Sequence, residues 1–277
     1  MRSVTWRLWL SAVAAILLIV TPAHAGQSPG SLVFAGSGSS LPIMRLLAEA
    51  FTKGRPDVRI EIPASLDSTG GIRAAADGGI TVGLVSRSLR APEKGLGLTV
   101  LPYARSPLVL AVHPTVAEDA ITADDLVRIY QGIKTRWGDG SEIVLLTREP
   151  GDSGIEALES VIPAFKAAHV TCRQARRCTV LFTEQEMIHT LAERPRALGL
   201  TDLGTIRAAG VPVKPLAFNG VRPTPEEVQR GRYPLVRTLA FVFRKELLPA
   251  EAAAFLAFVR SKEGEKILRP NGYISGE

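Results

Sequence analysis

The sequence predicts an α/β protein with largely parallel sheets. Short apolar, β-branched runs alternate with amphipathic helical stretches along the chain after residue 30. No repeat, low-complexity tract or long linker interrupts that alternation. The 277 residues are 46% hydrophobic, 22% charged and 6% aromatic. That is an ordinary globular composition, with chain enough for one large domain or two smaller ones with proper cores.

The elements follow in order. Residues 31–35 form a short strand. Residues 42–52 place Ile43, Leu46, Leu47, Ala50 and Phe51 on one helical face. Residues 58–62 alternate apolar and polar, as a half-buried strand does. A short helix over 70–76 precedes a β-branched strand over 80–85, and 108–112 reads as a buried strand. Residues 123–130 are helical, with Thr122 as N-cap. A strand over 143–147 leads into a helix over 155–168, which Pro163 should kink or break. Residues 179–182, 198–200, 211–218 and 238–243 are further strands, and 249–260 and 262–268 are the closing helices.

The first 25 residues read as a cleaved secretory leader. Arg2 and Arg7 precede an apolar run over residues 8–20, and Ala23-His24-Ala25 follows Pro22 as a small-x-small cleavage site. The run has 13 residues, against the ~20 that span a bilayer. Export places Cys172 and Cys178 in an oxidising compartment, where a structural disulfide is expected. Their C-x5-C spacing is neither a redox C-x-x-C nor a zinc knuckle, and with four histidines in the chain no metal or cofactor is expected. The formal charge of +6 is scattered, with no long Lys/Arg block. Nucleic acid is therefore a poor partner.

Three turns share one design. Phe34-Ala-Gly-Ser-Gly-Ser-Ser-Leu-Pro42 runs from a strand into a helix, with Pro42 suited to the first helical position. Asp67-Ser-Thr-Gly-Gly71 opens a second helix, and Arg148-Glu-Pro-Gly-Asp-Ser-Gly154 a third. Ser and Gly at one helix start are ordinary caps. Three such starts, one with an arginine, point to a small anion. Helix N-termini offer unpaired N–H groups and partial positive charge. Serines donate without adding charge, and Arg148 adds a full charge and a planar fork. The expected contacts are Ser39, Ser40 and Leu41 from the first turn, Ser68 from the second, and Arg148, Asp152, Ser153 and Gly154 from the third. Asp152 has two roles open: helix cap, or acceptor of a ligand proton. Gly36-x-Gly38-x-x-Leu41 lacks the third glycine of a dinucleotide fingerprint. Gly151-Asp-Ser-Gly154 matches the surroundings of a serine-protease nucleophile, but His113, His169 and His189 are poorly placed to serve it, and the parallel α/β pattern argues against a double β-barrel. No enzyme is expected.

At these residues the chain resembles the periplasmic phosphate-binding proteins of ABC importers. The resemblance runs through Gly36–Pro42, Ser68–Arg73, Val82–Leu89, Ile129–Trp137, Gly231–Pro234 with Arg237, and Phe255–Tyr273. It implies a two-lobed periplasmic binding protein, with two mostly parallel sheets flanked by helices and joined by two crossing strands. Those strands should fall near 107–112 and 235–241, leaving residues 26–108 plus 238–277 in one lobe and 109–237 in the other. The resemblance adds Ser86 to the ligand set, at a position where some relatives carry an aspartate. The third turn departs from the family pattern by one extra residue, an aspartate before the serine, and Ile155 in place of a threonine. A monomer is implied that captures phosphate and passes it to an inner-membrane permease. Sulfate, molybdate or tungstate, or a sensor without a transporter, remain alternatives.

Overall fold

The computed structural model describes residues 30–275, so the expected leader over 1–25 lies outside the described residues. The strands are β1 Ser31–Gly36, β2 Arg59–Glu61, β3 Val82–Val85, β4 Thr99–Val112, β5 Ala120–Ile121, β6 Val144–Arg148, β7 Thr179–Leu181, β8 Ala197–Asp202, β9 Lys214–Pro215, β10 Ala217–Phe218, β11 Val236–Phe243 and β12 Ile274–Ser275. The α-helices are α1 Leu41–Lys53, α2 Asp67–Ala76, α3 Ala123–Gln131, α4 Ser153–Val161, α5 Phe165–Gln174, α6 Glu184–Glu193, α7 Leu203–Ala209, α8 Pro225–Gln229, α9 Ala250–Val259 and α10 Lys262–Leu268.

The main sheet runs β2-β1-β3-β11-β4-β8-β6-β7. Its flanks are parallel, where β1 pairs β2 and β3, and β6 pairs β7 and β8. Its centre is antiparallel, where β11 pairs β3 and β4, and β4 pairs β8. The 14-residue β4 serves both halves. Thr99 to Pro107 pair with β11, and Leu108 to Val112 pair with β8. The two expected sheets are thus one sheet, handed from lobe to lobe through β4. The expected strand over 108–112 was short because charged Arg105 and two prolines, Pro102 and Pro107, mask its first half in the sequence.

Two apolar cores lie on either side of this handover. One gathers Phe34, Ile43, Met44, Leu47, Phe51, Tyr103, Phe241 and Phe255. The other gathers Leu110, Leu126, Tyr130, Leu158, Phe165 and Leu198, with a satellite around Met187, Leu191 and Ile206 behind β8. Between them, at the register Arg237↔Ser106, the packing turns polar.

Other departures have local causes. The helix expected over 155–168 is two helices, α4 and α5, parted at 162–164 around Pro163. The strand expected over 211–218 shrinks to β9 and β10, since Pro212 and Pro215 cannot donate to a ladder. Helices α6 and α7 were not expected. Thr183 and Asp202 cap them, accepting from Glu186 N and Thr205 N. The expected disulfide is not formed. Cys172 and Cys178 are free thiols. Cys172 sits in the α5 core face, and Cys178 packs against that core from the following loop.

The approach of α2 to the sheet depends on glycine. A Cβ on Gly71 would lie 2.8 Å from Gly36 Cα and 3.0 Å from the Ala35 carbonyl oxygen, and one on Gly83 would lie 2.6 Å from the Gly71 oxygen. Three glycines therefore let α2 lie on β1 and β3 and set the depth of its N-terminus. Gly71→Ala should destabilise the protein by about 1–3 kcal/mol through overpacking, read as a lower urea midpoint at unchanged slope.

Candidate functional site

Strands β1, β2, β3, β6 and β7 are followed by turns or helix starts that carry the polar groups of one cleft. The cleft holds a cavity of about 190 Å³, lined by Ser37, Gly38, Ser39, Asp67, Ser68, Arg148, Asp152, Ser153 and Glu184 among others. That is small beside the ~300–1,000 Å³ of organic-ligand pockets. The space suits a compact ion.

Four serine hydroxyls converge there. Ser86 Oγ accepts from Ser37 Oγ at 2.9 Å and lies 3.3 Å from Ser68 Oγ and 2.9 Å from Ser153 Oγ. The Ser86 N–H donates to Ser68 Oγ at 3.1 Å. The Ser86–Ser153 contact crosses the cleft. These hydroxyls are free to turn, and each can redirect its proton to an incoming acceptor.

Arg148 ends β6 with its side chain 3% exposed. Its Nε donates to Asp152 Oδ2 at 3.1 Å, and its Nη2 lies 3.6 Å from Asp67 Oδ1. Its Nη1 is buried without a hydrogen-bond partner. A buried guanidinium N–H left unpaired is costly, and an anion in the cavity would pair it. Arg87, the other arginine of the lining, is already spent on Glu93 at 2.7 Å through both Nη atoms and on Thr69.

Of the expected contacts, Ser39, Ser68, Arg148, Asp152 and Ser153 line the cavity, Ser86 bonds to Ser68 and Ser153, and Ser40, Leu41 and Gly154 are outside the lining. The first turn is a 3₁₀ turn over Gly38–Ser40, so the Ser40 N–H donates to the Ser37 carbonyl and the Leu41 N–H to the Gly38 carbonyl. Ser40 Oγ is buried beside the Tyr103 hydroxyl, away from the cavity lining. Ser37 faces the cavity instead. Asp152 is the N-cap of α4, its Oδ1 accepting from Gly154 N at 2.8 Å and Ile155 N at 3.3 Å. Its Oδ2 accepts from Arg148 Nε, so it ties the guanidinium to the helix start, and the Gly154 N–H is taken. Ser153 does not meet a histidine. It bonds Ser86, while His169, its ring held neutral by burial, donates from Nε2 to the Arg148 carbonyl at 3.1 Å.

Two carboxylates of the cavity escaped sequence reasoning. Asp67 opens α2 at φ +57°, with its side chain half exposed. Burial raises its pKa above the usual carboxylate value, against the pull of Arg148. Glu184 starts α6, buried against Arg237 at 3.6 Å and accepting from Thr201 Oγ1. Asp67 opens the second Ser/Gly turn without standing among its expected contacts, and Glu184 lies outside all three turns.

Burial pushes the Glu184 pKa up to about 7, although Arg237 opposes it. Between the ordinary carboxylate range and 7 the native state holds a proton that the unfolded chain has lost, so stability falls as pH rises through that window and is flat above it. Melting temperature should rise when pH is lowered from 8 to 6. Glu184→Gln should flatten that stretch of the profile.

The comparisons with known proteins come to the same place. A phosphate-binding protein PstS of Bacillus subtilis is 24% identical over 262 residues, covering 90% of this chain and 81% of that protein. Phosphate-binding protein PstS 2 of Streptococcus agalactiae is 32% identical over 119 residues, and that match spans 43% of this chain and 40% of the relative's own length. A Clostridium perfringens structure, assigned as a phosphate ABC transporter substrate-binding protein with bound phosphate, superposes with a TM-score of 0.77 at 27% identity, over 89% of this chain and 100% of that one. The family model of the PBP superfamily domain matches residues 21–263. With that match spanning both halves of the cleft, the chain belongs to the PBP superfamily.

Proposed function

We propose that this chain is an exported receptor that captures inorganic phosphate between its two lobes and delivers it to an inner-membrane ABC permease. The carrying observation is the unpartnered Arg148 Nη1, buried in a small cavity where four serine hydroxyls meet. A guanidinium edge together with serine hydroxyls of that kind can replace the hydration of a compact oxyanion. The bound phosphate of the Clostridium perfringens protein and the names of the PstS relatives support phosphate over other oxyanions.

Residues 26–108 with 238–277, and 109–237, act as the two jaws, hinged where β4 and β11 cross near Pro107 and Val236. The Ser86–Ser153 and Asp67–Arg148 contacts, and the bonds of Arg90 to Glu156 at 2.6 Å and to the Gly151 carbonyl at 2.9 Å, would part on opening. Among the described residues no helix is long and apolar enough to cross a membrane. The leader over 1–25 would deliver the chain to the periplasm, where it acts as a monomer without nucleic acid or catalysis.

Asp67 takes the acceptor role that the sequence suggested for Asp152. It is the half-exposed carboxylate of the cavity. It can accept a hydrogen bond from protonated phosphate and repel an oxyanion that carries no proton.

Calorimetry against phosphate, sulfate, molybdate and tungstate tests this reading: phosphate should bind tightest, and a protein that binds none of the four overturns it. Arg148→Ala should weaken phosphate binding by about 2–5 kcal/mol, since a buried charge partner is lost. Ser68→Ala or Ser153→Ala should cost about 1–3 kcal/mol. Asp67→Asn should narrow the ratio of phosphate to sulfate affinity in competition binding. An unchanged ratio removes Asp67 from selectivity.

A further inference from the structure

Arg237 is a buried cation that the oxyanion reading leaves without a task. It stands on β11 opposite Ser106 and is 5% exposed. Its Nη1 donates to Ser39 Oγ and, at 3.1 Å, to Asp202 Oδ2, and lies 3.6 Å from Glu184 Oε2. Its Nη2 lies against the first turn of α4, where a Cβ on Gly154 would come within 2.7 Å of it. Arg237 does not line the cavity, whereas Ser39 and Glu184 do. It therefore stands one layer behind the site and touches what lines it.

The chemistry of the Ser39 contact has a direction. A hydroxyl has one proton and two lone pairs, while a guanidinium has only protons to give. The bond from Arg237 occupies a lone pair of Ser39 Oγ and leaves its O–H to donate elsewhere. Ser39 is fixed at its other end too, where its carbonyl accepts from Thr205 Oγ1 at 3.2 Å. The hydroxyls of Ser37, Ser68, Ser86 and Ser153 bond one another and can turn either way. Ser39 alone among these is paired to a cation. A hydroxyl that accepts from a cation is also a stronger donor, because bonds in a chain polarise one another.

We propose that Arg237 is a positioning residue that holds the Ser39 hydroxyl as an obligatory donor to the captured oxyanion, passing part of its charge into the cavity through that bond. The proposal rests on the oxyanion reading of the cleft. It assigns a second arginine to the binding of an anion that this arginine never touches.

The test is a double-mutant cycle between residues 39 and 237, with inorganic phosphate as the probe in calorimetry. It is run on an Asp202→Asn background, because asparagine still caps α7 and Arg237→Gln then leaves no carboxylate at 202 without its partner. Ser39→Ala should weaken phosphate binding ~10- to 100-fold, as loss of a charge-assisted donor does. Arg237→Gln should weaken it by a similar factor. The two together should be no worse than the weaker single variant, because both remove one donor. A purely structural Arg237 would lower the melting temperature and leave the two losses in affinity to multiply. If the glutamine variant does not fold, Arg237→Lys runs the same cycle, since one ammonium cannot serve residue 202 and Ser39 with the same geometry. Multiplying losses, or an Arg237 variant that binds as the background does, overturn the proposal while the oxyanion reading stands. A background protein and a parent chain that both bind no phosphate overturn the two together.

Discussion

The buried guanidinium of Arg237, set between Asp202 and Glu184, is the interaction on which the architecture turns. Removing three charged groups from water costs several kcal/mol for each ion, and close pairing has to offset it. The side chains are 4%, 0% and 6% exposed, so water offers no alternative partner. The cluster sits where β4 passes from one apolar core to the other. On one side stand Tyr103, Leu239 and Phe241, on the other Leu108, Leu110 and Leu235. A wholly apolar strand pair there would let the two cores run together. The polar layer interrupts them and stands behind the cavity, which Glu184 alone of the three lines.

A second charge pair governs the face of the site. Asp152 accepts from Arg148 and from two amides of α4 through its two oxygens. It fixes the guanidinium plane and helix start as one unit, leaving Nη1 buried without a partner. His169 anchors the Arg148 backbone from behind. The arginine is thus held ready before any ligand arrives, which lowers the ordering cost of binding. The price of this readiness is an unpaired buried donor, in a cavity whose lining also holds the carboxyls of Asp67, Glu149 and Glu184.

Much of the site was legible because its chemistry is local. The turns after β1, β6 and the strand before α2 hold Ser, Gly and Arg in a pattern that marks helix starts. Ser39, Ser68, Arg148 and Ser153 do line one cavity, and Ser86 bonds to Ser68 and Ser153. The error at Ser40 and Leu41 is a matter of one turn. Pro42 suits the first turn of α1 and says nothing of the 3₁₀ turn ahead of it, in which those two amides are consumed.

From residue types and their periods alone came the α/β alternation, the break at Pro163, the Thr122 cap and the placement of anion-binding turns at strand ends. Those features depend on neighbours within a few positions, where helix and strand periods and N–H satisfaction act. Tertiary structure alone decided that β4 joins both halves in one sheet, that Asp202 and Glu184 bury themselves against Arg237, and that Asp67 comes to line the cavity beside Asp152. Arg237 lies 198 positions from Ser39 in the chain. No local pattern can report such a contact, because the energy of a buried charge depends on which groups the fold brings within a few ångströms of it.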